Sequence, residues 1–259
     1  MDLVMYAAGI MAFAPTLILM YAVLRNYTYP KVEQPFFSDP RFFWMFVIGL
    51  IAGTLLFAFY TFLTSPNQLV LLIYRVMFAV AQCLAMVVIL NLKRFHGKSD
   101  SVFYGYGLGL GIGCTMAFGT IYYYGTLINA ADEINAGVQE YAWFVLIALS
   151  YVLILSAIGT TIGEGIARKK PMEFAMQALL VYVVFSIIVW AAFSADTLAL
   201  YICLILALIV AAVYFYFIMY VKLSGVIRDV LRMEGNKRND VYTPKSTTKN
   251  APKKVQKKR

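Results

Sequence analysis

The chain has 259 residues, 62% of them hydrophobic and 14% charged, against about 25% charged in an ordinary soluble domain. Its net charge is +9, and nearly all of that lies at one end. These figures exclude a water-soluble globular protein, and three cysteines scattered through apolar runs exclude a disulfide scaffold.

A membrane span needs about 20 apolar residues. Seven runs qualify: Leu3–Leu24, Phe42–Leu63, Leu69–Leu92, Val102–Ile128, Tyr141–Ala167, Phe174–Ala195 and Leu198–Leu223. The expectation is an all-α polytopic membrane domain over residues 1–223. The first run lacks a basic start and a small-residue cleavage site, so it reads as a retained span rather than a signal peptide.

In the third run, Arg75 lies six residues from the start, about 9 Å deep at 1.5 Å per residue. An intramembrane charge is a functional suspect by default. It can also snorkel, or pair with Asp132, Glu140 or Asp196 at the same face. Gln82, mid-span, reads as an interhelical hydrogen-bond partner.

The fourth run carries glycine at alternate positions: Gly105, Gly107, Gly109, Gly111 and Gly113. In water this would cost about 1 kcal/mol per glycine against alanine. In a bilayer the backbone must satisfy itself and stays helical, and small residues let helices approach. At about 100° per residue, Gly105, Gly109 and Gly113 form one stripe, with Gly107 and Gly111 nearly opposite. The helix should be gripped from two sides, by neighbours in the same chain, by a partner, or by one of each.

In the fifth run, Glu164 precedes Arg168 by four residues, the favourable order for a helical ion pair. Cys83, Cys114 and Cys203 read as small apolar residues, and His96 as a solvated loop histidine.

The first, third and fifth connections hold the basic residues (Lys31; Lys93, Arg94 and Lys98; Arg168, Lys169 and Lys170), while the even ones hold none. The positive-inside rule then puts the N-terminus outside and the C-terminus inside, with the plasma membrane as the expected location. Over residues 224–234, apolar and charged residues alternate at helical spacing, which predicts a juxtamembrane amphipathic helix along the headgroups. From Gly235 to Arg259 there are nine basic residues and one acid, hence +8 of the +9. Residues 235–259 have little to bury, so a disordered cytoplasmic tail is expected. Lys253, Lys254, Lys257, Lys258 and Arg259 should attract anionic lipid. No nucleic acid is expected, because aromatic residues do not interleave with the basic ones.

Intramembrane hydrolysis needs a group that activates water. No span contains a histidine, none holds an aspartate near its centre, and Glu140 and Glu164 lie near opposite faces. No metal, cofactor or catalytic residue is expected. The seventh span has no lysine in its core for a Schiff base.

Asp100-x-x-x-Tyr104-Gly105, followed by Gly109-Leu-Gly111, resembles a segment of the PrsW-type glutamic intramembrane proteases. The resemblance places that family's Glu-Asn pair at about Met116 and Ala117, its Glu-Glu motif near Ala81 and Gln82, and its histidines near Ser150 or Tyr151 and near Ser186. None of these positions carries the catalytic residue. The whole chain is more similar to the anterior-pharynx-defective (Aph-type) scaffold subunit of γ-secretase, in the same superfamily. The similarity rests on Ala12-Phe13-Ala14-Pro15-Thr16, on Phe42-Phe43-Trp44 and on the four-residue glycine spacing; the buried histidines of that family are missing. It implies a non-catalytic scaffold that binds another membrane protein, such as a presenilin-like aspartyl protease, through the glycine-rich fourth helix. A small-solute transporter or channel and a divergent intramembrane protease are the alternatives.

Overall fold

The computed structural model describes residues 3–28, 36–62, 67–93, 95–132, 138–194 and 197–233, with the side chains of 3, 129–132, 138–140 and 231–233 outside that description. The described residues form α1 (Leu3–Leu24), α2 (Asp39–Thr61), α3 (Gln68–Leu90), α4 (Asp100–Asp132), α5 (Val138–Ala167), α6 (Pro171–Phe193) and α7 (Thr197–Tyr216). A π-helical stretch, Phe217–Lys222, then leads into α8 (Leu223–Met233). Seven helices are long and apolar enough to cross a membrane, as the sequence predicts.

Helix starts follow local chemistry. Asn67 caps α3 by accepting from the Leu69 N–H at 3.0 Å. α2 and α6 each begin with a proline and an acidic residue in the first turn (Pro40 with Asp39, Pro171 with Glu173); the missing N–H costs nothing there and the acid faces the positive helix end. Pro15 sits inside α1, where it removes one backbone bond. The adjacent Thr16 hydroxyl, fully buried, donates to the Ala12 carbonyl at 2.7 Å.

α4 is the axis of the bundle. It packs most extensively on α5, then on α2 and α1, while α6 and α7 cover α5 and α3 leans on α6. The glycine ladder explains how α4 can sit so deep. A Cβ on Gly105 would strike the Gly159 carbonyl oxygen, one on Gly109 the Leu155 carbonyl, and one on Gly113 would lie 3.0 Å from the Tyr151 carbonyl. All three belong to α5. On the opposite face, a Cβ on Gly107 would lie 3.0 Å from the Phe42 ring, and one on Gly111 would strike the Phe46 carbonyl of α2. Glycines meet them from the other side: Gly159 and Gly163 on α5, Gly49 and Gly53 on α2. Both stripes are therefore closed by the chain's own helices. Of the neighbours the sequence leaves open for the ladder, these are helices of the same chain, and from Asp100 to Ile121 the helix is almost entirely buried.

Tyr106 adds a polar tie to this packing, donating to the Leu19 carbonyl of α1 at 2.8 Å. Beyond α1, burial among the rings of Phe36 and Phe103 pushes the Tyr27 phenol up to about 12, so it stays neutral at physiological pH.

The expected amphipathic segment is present as α8, but its apolar stripe does not lie free for headgroups. Leu223, Val226, Ile227 and Val230 join the buried core. Arg168, at the end of α5, holds the helix down: its Nε lies 2.8 Å from Glu164 and its Nη2 3.6 Å from Asp229 of α8. The Glu164–Arg168 pair matches the sequence reading, and Asp229 extends it. Arg168→Ala should speed hydrogen exchange of the amides at 226–230 and, because it leaves the buried Glu164 without its partner, lower global stability by about 1–3 kcal/mol. Equal exchange in both proteins would show that α8 is held by its apolar face alone. Residues 235–259, including Lys253, Lys254, Lys257, Lys258 and Arg259, lie outside the described residues.

Candidate functional site

The polar chemistry inside the bundle gathers on one face of α3. Arg75 and Gln82 are seven residues apart, two turns and about 10.5 Å, and both point inward. Arg75 is only 7% exposed and Gln82 fully buried.

Arg75 does not snorkel. Its guanidinium carbon lies 5.5 Å from the ring centre of Tyr60 and 5.4 Å from that of Phe193. Tyr60 ends α2 and Phe193 ends α6, so two helix termini place an aromatic face against the cation. The hydroxyls of Tyr124 and Tyr151 lie within hydrogen-bonding reach of the guanidinium. Tyr124 is itself fixed, stacked on Phe193 with centroids 4.3 Å apart and edge-on to Trp143. A cation desolvated between two aromatic faces gains about 2 kcal/mol or more from their quadrupoles. That offsets part of the several kcal/mol it costs to take a charge out of water. Among the described residues no carboxylate lies within ion-pair distance, and the Arg75 Nε has no hydrogen-bond partner. Asp132 and Glu140, proposed as partners from the sequence, occupy the ends of α4 and α5 with side chains outside the described set, and Asp196 lies outside the described residues altogether.

Two turns further in, the Tyr182 hydroxyl of α6 donates to the Gln82 Oε1. This is the interhelical bond the sequence predicts, and among the described residues the Gln82 Nε2 has no partner. Tyr182→Phe should cost about 0.6 kcal/mol, the average for interhelical bonds in a membrane protein, and at most about 1.7 kcal/mol. No change in thermal unfolding would mean that Gln82 is satisfied elsewhere.

Four buried hydroxyls of α5 turn back on their own helix, and that of Thr161 also meets the Tyr214 hydroxyl of α7 at 2.9 Å. Ser150 donates to the Leu146 carbonyl, Ser156 to Leu153, Thr160 to Ser156 and Thr161 to Ala157, at 2.7–2.9 Å. Met116 and Ala117, where the resembled proteases carry a Glu-Asn pair, are buried apolar side chains. At the other end of the bundle His96 is exposed and its Nε2 lies 2.7 Å from the Asn91 Oδ1. Cys83 and Cys114 are buried free thiols, and Cys203 is half-buried.

What the sequence alone misses is the cage: Tyr60, Tyr124, Tyr151 and Phe193 come from four helices. The only hint is a tyrosine or phenylalanine near the end of three successive even-numbered helices, on the face from which Arg75 enters. The outward surfaces of α1, α2, α3, α6 and α7 are rows of large apolar side chains, Ile10, Leu55, Val88, Leu180 and Val213 among them. Patches of that extent do not persist in water. With seven long apolar helices, they define a multi-pass helical membrane protein. No protein-family model, curated protein or solved structure matches the chain.

Proposed function

We propose that the protein is a non-catalytic membrane scaffold that binds and stabilises another integral membrane protein, with its N-terminus outside and its C-terminus in the cytoplasm. The observation that carries this reading is how the polar groups inside the bundle are used. Gln82 meets Tyr182, Glu164 meets Arg168, Arg75 is enclosed by aromatic rings, and Ser150, Ser156, Thr160 and Thr161 bond back to their own helix, Thr161 to Tyr214 as well. Spent this way, they stiffen the bundle instead of lining a route across it. α4, locked on both faces at backbone distance, leaves little room for the rocking motions of a transporter.

The partner surface then lies on the outward faces of α1, α2, α3, α6 or α7, not on the ladder. An intramembrane aspartyl protease of the presenilin type is the partner class implied by the similarity to the Aph-type scaffold. The tail's basic residues would hold the cytoplasmic end to anionic lipid.

Purification from native membranes in mild detergent tests the reading. The expected result is co-migration with a second membrane polypeptide at fixed stoichiometry. A lone chain that also passes solute into proteoliposomes above the empty-vesicle rate would overturn it in favour of transport.

A further inference from the structure

At the end of the bundle opposite Arg75, the first turns of α2 and α4 and the connection before α4 enclose a cavity of about 490 Å³. Its rim carries Arg41, Trp44 and Lys98, Tyr104 lies buried behind them, and its wall runs inward along Met45 and Ile48. We propose that this cavity binds the phosphate group of an anionic membrane lipid, with the lipid's chain lying along α2. This site is separate from the basic tail and does not depend on the scaffold reading.

Four observations support it. First, Arg41 and Lys98 are exposed cations on different elements, and neither makes an ion pair among the described residues. A guanidinium fork and a point-charge ammonium are the donors a phosphate takes. Second, the one carboxylate in the lining, Asp100, accepts from the Tyr104 hydroxyl, which in turn accepts from the Ser38 N–H, each at 3.4 Å. The lining keeps a net charge of +1 with the acid engaged by a neighbour. Third, polarity changes with depth. From Arg41 to Ile48 is seven residues, about 10 Å along the helix, and over that distance the wall turns from cationic to apolar. A free inorganic anion would use only the rim, whereas a lipid would use both rim and wall. Fourth, Trp44 is 67% exposed beside the opening, where an amphipathic ring marks the headgroup level.

The connection that brings Lys98 to the rim is held in place independently of any ligand. Gly97, at φ +69, donates from its N–H to the Ile166 carbonyl of α5 at 3.3 Å, and the Ser101 hydroxyl donates to the Phe95 carbonyl. The connection carrying Lys98 is thereby pinned to two helices.

Native mass spectrometry of the full-length protein tests the proposal, with dioleoylphosphatidylglycerol, dioleoylphosphatidylcholine and inorganic phosphate as probes. Wild type should retain one phosphatidylglycerol in preference to phosphatidylcholine. Losing one charge-assisted contact should weaken retention about tenfold, so Arg41→Gln with Lys98→Gln should lose it and Arg41→Lys should keep most of it. Ile48→Trp, which fills the cavity without changing charge, should also lose it. The tail is identical in every variant, so its own lipid adducts cancel. Retention by either the double variant or Ile48→Trp would overturn the proposal. Displacement of the lipid by millimolar phosphate would overturn it too, assigning the rim to a free anion.

Discussion

Gly109→Leu should leave no folded protein to extract, and Gly109→Ala should cost at least about 2 kcal/mol. The reason is where the new carbon would go. A Cβ at Gly109 falls on the Leu155 carbonyl oxygen, with Ser156 Cα 3.0 Å away. Both are backbone atoms of α5 and cannot rotate aside as a side-chain tip can. Relief requires α4 and α5 to separate, and that separation opens the contact that buries both helices. Gly159→Ala should behave alike, since its Cβ falls on the Gly105 carbonyl. Gly9 and Gly225 have nothing within 4 Å of the added carbon, so Gly9→Leu and Gly225→Leu should stay within about 0.5 kcal/mol of wild type. Extraction yield and thermal unfolding followed by size-exclusion chromatography read all five variants. Normal folding of Gly109→Leu with loss of a bound partner would return the ladder to an assembly surface.

The second large effect concerns the caged arginine, and its sign is informative. Tyr124→Phe with Tyr151→Phe strips two phenol oxygens from around a buried cation. Each hydrogen bond lost from a charged group costs about 1.5–3 kcal/mol, so the double change should cost about 3 kcal/mol or more. Arg75→Met, which removes the charge, should by contrast leave stability unchanged or raised. In the Arg75→Met background the two tyrosine substitutions should cost little, giving a coupling of at least about 1 kcal/mol in the cycle. Strong destabilisation by Arg75→Met alone would show that the guanidinium holds the bundle together through a partner beyond the aromatic cage. Retained stability with a lost partner would assign Arg75 to binding.

These two sites differ in how far the sequence exposed them. The two stripes of α4 follow from 100° per residue, and each has a neighbour packed against it. The counterparts share the same four-residue spacing, Gly49 with Gly53 and Gly159 with Gly163, so their role was written in the chain too. Which helices would meet was not, because spacing along one helix says nothing of what stands beside it. Gln82 needed a partner and found Tyr182. Arg75 was visible as a charge out of place, but its cage is assembled from residues that only the fold brings together. The amphipathic period of α8 was equally plain. Its packing partner was not, since a headgroup layer and a protein flank accept the same apolar stripe. The cavity between α2 and α4 leaves no periodic trace, being made by the ends of two helices and one connection.

Site-specific photo-crosslinking in native membranes tests the scaffold reading most directly. A photoreactive side chain is placed in turn at Leu55 on α2, Leu180 on α6 and Ile202 on α7, all exposed, and at the enclosed position Leu110 on α4. At least one outward position should give an adduct of discrete mass with a second membrane protein, while Leu110 gives only intrachain products. Lipid adducts alone from every outward face, or a partner adduct from Leu110, would contradict a scaffold built around an enclosed fourth helix.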